Sequence, residues 1–115
     1  MPIQIEKDAF NGMDGVYDIL KDRSLWPTMA VHPKIVPEDP HWHTQNNHIF
    51  LVEGEADFCD VESDTWHSLS GGDICYIPRR TLHRIRAENK VVLIAAFDEA
   101  MSMANFQPYP PEALD

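Results

Sequence analysis

His41-Trp42-His43-Thr44-Gln45-Asn46-Asn47-His48-Ile49-Phe50-Leu51-Val52-Glu53-Gly54 is the stretch whose reading decides the fold. Residues two apart on a strand project from one face, so His41 and His43 present two imidazoles side by side while Trp42 points the other way. The short connection Thr44 to Asn47 leads into a second strand. Its period-2 faces divide into His48, Phe50 and Val52 against Ile49 and Leu51. With the first set turned inward, His48 joins the interior that His41 and His43 face.

The same two-residue alternation runs outward through the chain. It predicts strands at Val16 to Leu20, Thr28 to His32, His48 to Val52, Ala56 to Val61, Ile74 to Ile77, His83 to Ala87 and Val91 to Phe97. Turn formers separate them: Pro37-Glu38-Asp39-Pro40, Asn46-Asn47, Glu53-Gly54, Ser70-Gly71-Gly72, Pro78-Arg79-Arg80 and Glu88-Asn89. Many short strands without intervening long helices point to an all-β closed double sheet rather than to βαβ units. The expected domain is 1–101. The first dozen residues carry no clear pattern, and 102–115, with Pro108, Pro110 and Pro111, reads as an extended tail that Phe106 and Tyr109 pin to the barrel or to a second subunit.

His83 opens a strand directly after the Pro78-Arg79-Arg80-Thr81 turn, where a barrel closes against the first histidine pair. Four imidazoles, from His41, His43, His48 and His83, are therefore expected to converge. Neutral imidazole suits transition metals better than hard cations, so a divalent transition metal is the implied cofactor. Iron(II) is the first choice, with zinc, manganese, nickel or copper as alternatives. His32 and His67 have no such company and read as ordinary histidines.

Length and charge narrow the function further. The chain has 115 residues, the size of one domain, with 9 Lys plus Arg against 19 Asp plus Glu and a net charge of −10. That charge repels phosphate backbones and anionic lipid surfaces, so neither nucleic acid nor membrane is an expected partner. The longest apolar run, Val91 to Phe97, is far short of the roughly 20 residues that span a bilayer, and the N-terminus lacks a signal-peptide pattern, which leads to a cytoplasmic expectation. Cys59 and Cys75 sit apart in strand-like segments and read as buried, reduced thiols. The chain carries no nucleophile elbow, Walker loop or dinucleotide glycine pattern.

Two stretches carry a resemblance. His41 to Gly54 resembles the first motif of the cupin superfamily, in which His-x-His is followed by a Glu and later by a Gly. Gly72-Asp73-Ile74-Cys75-Tyr76-Ile77-Pro78-Arg79-Arg80-Thr81-Leu82-His83 resembles the second, with Gly, Pro and His in register. The resemblance implies a small jelly-roll barrel with His41, His43 and His83 as metal ligands, and it places the fourth family ligand, a Glu, at His48. Three further departures stand out: Ile35 for the first motif's Gly, Arg80 for a Gly after Pro-x, and Ala87 for a terminal Asn. At Arg80 the favoured explanation is that the turn no longer needs a positive φ; the other is that strain is accepted to bring a cation to the barrel rim.

A site with four neutral imidazoles keeps the full +2 charge of its ion, which attracts anions and lowers the pKa of bound water relative to a site with a carboxylate. If His48 stays off the metal, three histidines leave an open face for substrate and dioxygen, as in the three-His iron oxygenases of this superfamily. In the period-2 register Phe50, Val52 and Ile85 surround the metal, Tyr76 is the candidate proton donor or substrate-orienting residue, and Arg84 and Arg86 lie outside in ion pairs. The expected function is a metal-dependent dioxygenase or oxidoreductase acting on a small organic acid or dicarbonyl-like substrate. A non-redox isomerase, cyclase or lyase, and a sugar- or small-molecule-binding module without turnover, are the alternatives. Sheet edges left by so small a barrel favour a homodimer paired through an N-terminal strand.

Overall fold

Eight strands, numbered in chain order, frame the computed structural model, which describes residues 2–100 and 108–114: β1 (Gln4–Glu6), β2 (Trp26–His32), β3 (Asn47–Glu53), β4 (Glu55–Asp60), β5 (Thr65–Ser70), β6 (Ile74–Ile77), β7 (His83–Arg86) and β8 (Val91–Phe97). They form two antiparallel sheets, one in the order β1-β6-β3-β8-β2 and one in the order β5-β4-β7. The connection after β2 runs along β7, bridging at Ile35–Ala87 and His41–His83, and so widens the smaller sheet. This is the jelly-roll arrangement expected from the strand pattern.

Inside the barrel, Ile49 and Leu51 of β3, Cys75 and Ile77 of β6, Phe58 of β4 and Leu93 of β8 pack into one apolar core. The opposite face of the larger sheet is also covered. There Phe50, Ile74, Ile94 and Ala96 pack beneath Val16 and Leu20 of a helix, α1 (Gly12–Arg23). The expected strand at Val16 to Leu20 is therefore corrected to helix. Val16 and Leu20 lie four residues apart, the spacing that stacks side chains on one helix face, and both are buried. Lys21 and Arg23 occupy the last turn, where positive charge complements the helix dipole, and Ser24 closes it in the left-handed conformation at φ 55°.

The helix also reverses the expected face of β3. Because α1 buries the outer side of β3, both faces of that strand are apolar and the alternation alone does not say which is inner. The structure turns Asn47, Ile49 and Leu51 inward and His48, Phe50 and Val52 outward, towards α1. Ile85 is inward as expected, while Phe50 and Val52 are not.

Two strands lay outside the sequence reading, β1 in the irregular N-terminus and β5, whose Thr-Trp-His-Ser-Leu-Ser buries only Leu69. Between β3 and β4, Gly54 has φ 96°, and a Cβ there would lie 2.5 Å from the Lys90 carbonyl oxygen, so the turn accepts only glycine. Cys59 and Cys75 are buried free thiols. Among the described residues no helix is long and apolar enough to cross a membrane.

Candidate metal centre

The histidine pair and His83 meet through backbone pairing. His41 and His83 are bridge partners, the two amides donating to each other's carbonyls at 3.1 and 3.0 Å. Alternation then brings His43 to the same side as His41. The His41 ring lies 4.3 Å from that of His83 and 5.3 Å from that of His43, and the His43 and His83 rings are 5.5 Å apart. Each of the three offers a ligand nitrogen, and these atoms all lie within 4.8 Å of one another.

Two of the rings have their tautomer fixed by a carbonyl, which only accepts. His83 Nδ1 donates to the Thr81 oxygen at 2.8 Å and His41 Nδ1 to the Asp39 oxygen at 3.1 Å. That leaves Nε2 as the nitrogen free to ligate, and a carbonyl on the far nitrogen both orients a metal-binding imidazole and raises its basicity. His83 is buried; burial, then the neighbouring His41, pushes its pKa down to about 3, so the ring is held neutral, the form that binds a metal. The donor set fits a divalent transition ion.

His48, expected as a fourth ligand, lies elsewhere, because its side of β3 is the one beneath α1. Its ring packs 4.8 Å from that of Tyr76, and Nδ1 lies 3.2 Å from Arg23 Nη1, whose guanidinium also grips Glu6 at 3.0 and 2.8 Å. Burial and then the Arg23 charge push the His48 pKa down, so the ring is neutral and accepts from Arg23. Tyr76, the register partner of His48, shares that outer face, away from the three-histidine group. The structure thus brings together His41, His43 and His83 and sets His48 and Tyr76 apart from them.

The three imidazoles open into a cavity of about 880 Å³. Its wall is largely apolar, from Ile49, Ile85, Leu93, Ala95 and Phe97, with the carboxylates Glu38 and Asp39 also in the lining. His32 of β2 also lines the cavity but is exposed and stands outside the three-histidine group.

The tail closes one side. Tyr109 forms a backbone bridge with Trp42, its ring stacks on the indole at 4.7 Å, and Trp42 Nε1 donates to the Pro110 oxygen at 3.0 Å. Tyr109 thus pins the tail to the barrel; Phe106 lies outside the described residues. Arg80 holds φ 62°, so the favoured idea that its turn had lost the left-handed conformation is corrected: the strain is kept, and the guanidinium sits 5.1 Å from the centre of the Trp42 ring. Arg86 points outward as expected, pairing with Asp57 at 3.0 Å and lying over Trp66. Sequence reasoning missed Asn47, a buried side chain of the cavity wall; its signal was its place one residue before His48 and thus on the opposite face.

No curated protein matches the chain in sequence. Among solved structures, an RmlC-like cupin from Shewanella frigidimarina is similar at 23% identity, with a TM-score of 0.56 and 64% of each chain covered. The polyketide cyclase RemF from Streptomyces resistomycificus is similar at 16% identity and a TM-score of 0.61, over 76% of this chain and 60% of that one. The DMSP lyase DddQ from Ruegeria pomeroyi is similar at 19% identity and a TM-score of 0.64, over 76% of this chain and 43% of that one. The chain spans less than two thirds of the length of each of these relatives. At such identities the likeness establishes the fold and nothing finer. Residues 28–97, most of the chain, match the family described as "Cupin domain". With that match, the jelly-roll topology and the meeting of His41, His43 and His83, the chain belongs to the cupin family.

Proposed function

We propose that the protein is a metal-dependent enzyme that oxidises a small organic acid or dicarbonyl-like molecule with dioxygen, with iron(II) held by His41, His43 and His83. The observation that carries this reading is the convergence of three imidazoles on a largely apolar cavity. A bound divalent ion supplies a Lewis acid for a substrate oxygen and, when it is iron, one-electron chemistry with dioxygen. The chain's own part is to hold the ion from one side, to keep His41 and His83 in the ligating tautomer through Asp39 and Thr81, and to exclude water with Ile49, Ile85, Leu93 and Phe97.

A non-redox lyase or cyclase is the second reading, and two fold relatives carry such names. That chemistry calls for a protein acid or base beside the substrate. Tyr76, first expected in that role, faces α1 instead, which leaves Glu38, Asp39 and Tyr109 of the cavity lining as the groups for it. The test is substrate loss by iron-loaded protein, with and without dioxygen, over a set of small hydroxy acids, keto acids and dicarbonyls. Oxidation requires loss of substrate matched by dioxygen uptake and abolished by His83→Ala. Equal turnover without dioxygen supports the lyase or cyclase instead.

A further inference from the structure

We infer that Asn47 is part of the metal centre, its side-chain Oδ1 serving as a neutral oxygen ligand beside His41, His43 and His83. This rests on the three-histidine reading above and adds to it a residue of different chemistry. Asn47 is the first residue of β3 and, with Ile49 and Leu51, turns into the barrel. It takes the inward place that His48 was expected to fill.

Three observations point the same way. Asn47 lines the same cavity as the three histidines, and its register partner on β8 is Phe97, whose ring lies 5.7 Å from that of His43. Its side chain is 3% exposed, yet Oδ1 accepts no hydrogen bond. A buried acceptor left unpaired is rare in a native fold and calls for a partner that the protein itself does not supply. The neighbouring residue shows the contrast: Asn46 donates from N and Nδ2 to Asp98 at 3.1 and 2.7 Å, and its Oδ1 accepts from the Arg79 amide at 2.8 Å. That pinned turn sets where β3 begins and so directs Asn47 into the cavity.

An amide oxygen is a harder donor than imidazole and carries no charge, so the ion keeps its +2 charge where a carboxylate in that place would halve it. The lower oxidation state of a redox metal is favoured accordingly. Substituting Asn47 by Asp adds the missing charge with almost no change in shape, and it gives the inference its test.

The full chain, freed of metal, is titrated with cobalt(II), reading affinity and the visible ligand-field bands, with far-ultraviolet circular dichroism as a check on folding. Asn47→Ala should weaken binding by about tenfold or more and alter the bands as water replaces the amide. Asn47→Asp should tighten binding by a comparable factor and shift the bands. If the wild type binds cobalt and Asn47→Ala matches it in affinity and spectrum, Asn47 is not a ligand and the inference is overturned, while the three-histidine reading stands. If neither the wild type nor Asn47→Asp takes up cobalt, the three-histidine reading fails and this inference with it. Should Asn47→Asp not fold, the alanine variant decides alone.

Discussion

Asp73, the residue before β6, is a buried carboxylate whose charge is fully answered. It accepts from the Ser70 and Asp8 amides at 2.9 and 3.0 Å and pairs with Lys7 at 3.0 Å, tying the N-terminal segment to the turn before β6. Burial pushes its pKa up, but those two amides and the Lys7 ammonium outweigh it and bring it below the ordinary 3.8. A carboxylate with a depressed native pKa contributes stability that is complete above its unfolded pKa and is lost as pH falls through the native one. Urea unfolding should therefore show a loss of stability below about pH 4. Asp73→Asn should cost about 1–3 kcal/mol at pH 7 and flatten that acid limb; an unchanged limb contradicts the assignment.

At this scale the sequence was most readable where chemistry and spacing agree. His41 and His43 lie two apart on one face and His83 follows a turn, and these three meet as expected. His48 was unreadable for a physical reason. The strand it begins is buried on both sides, and a one-residue change of parity exchanges every side chain between barrel interior and helix contact. Asn47 was passed over because an Asn beside a turn has an ordinary explanation as a turn former. Arg80 sits where glycine is usual and pays with backbone strain, which only the dihedral angle reveals.

Among the elements, the tail segment is the one coupled most directly to the centre. Tyr109 and Pro110 hold Trp42, which lies between two of the histidines, so anything that loosens the tail also loosens the ligand pair. Tyr109→Ala should lower stability by about 0.5–1.5 kcal/mol through the lost stacking and shift the Trp42 fluorescence to longer wavelength as the indole meets water. Tyr109→Phe should behave as the wild type. Equal melting and emission in the alanine variant would show that the tail is not held by that ring. The strands of the two sheets were legible from alternation, but α1 was not, because Val16 to Leu20 is short enough to satisfy either period. β5 escaped because only Leu69 of its residues is buried.

For the whole molecule, the larger sheet has two open edges, β1 and β2. β2 is the longer, carries no charged residue except a titratable terminal His32, and exposes Met29 at 58% and Val31 at 56%. An uncharged, partly apolar edge on a chain of net charge −10 suits pairing with a second copy better than the three-residue N-terminal β1 does, so we propose a homodimer joined along β2 in place of the N-terminal pairing expected from the sequence. Sedimentation equilibrium at micromolar concentration should give twice the chain mass. A single species at 13.2 kDa contradicts it.

The most direct test of the three-histidine centre is the metal content of untagged protein purified without chelators. Close to one transition-metal ion per chain is predicted for the wild type, falling to near zero in His83→Ala while the fold, read by circular dichroism, is kept. Fewer than about 0.1 ions per chain in the wild type, with no uptake of added iron(II), cobalt(II) or zinc, would contradict it.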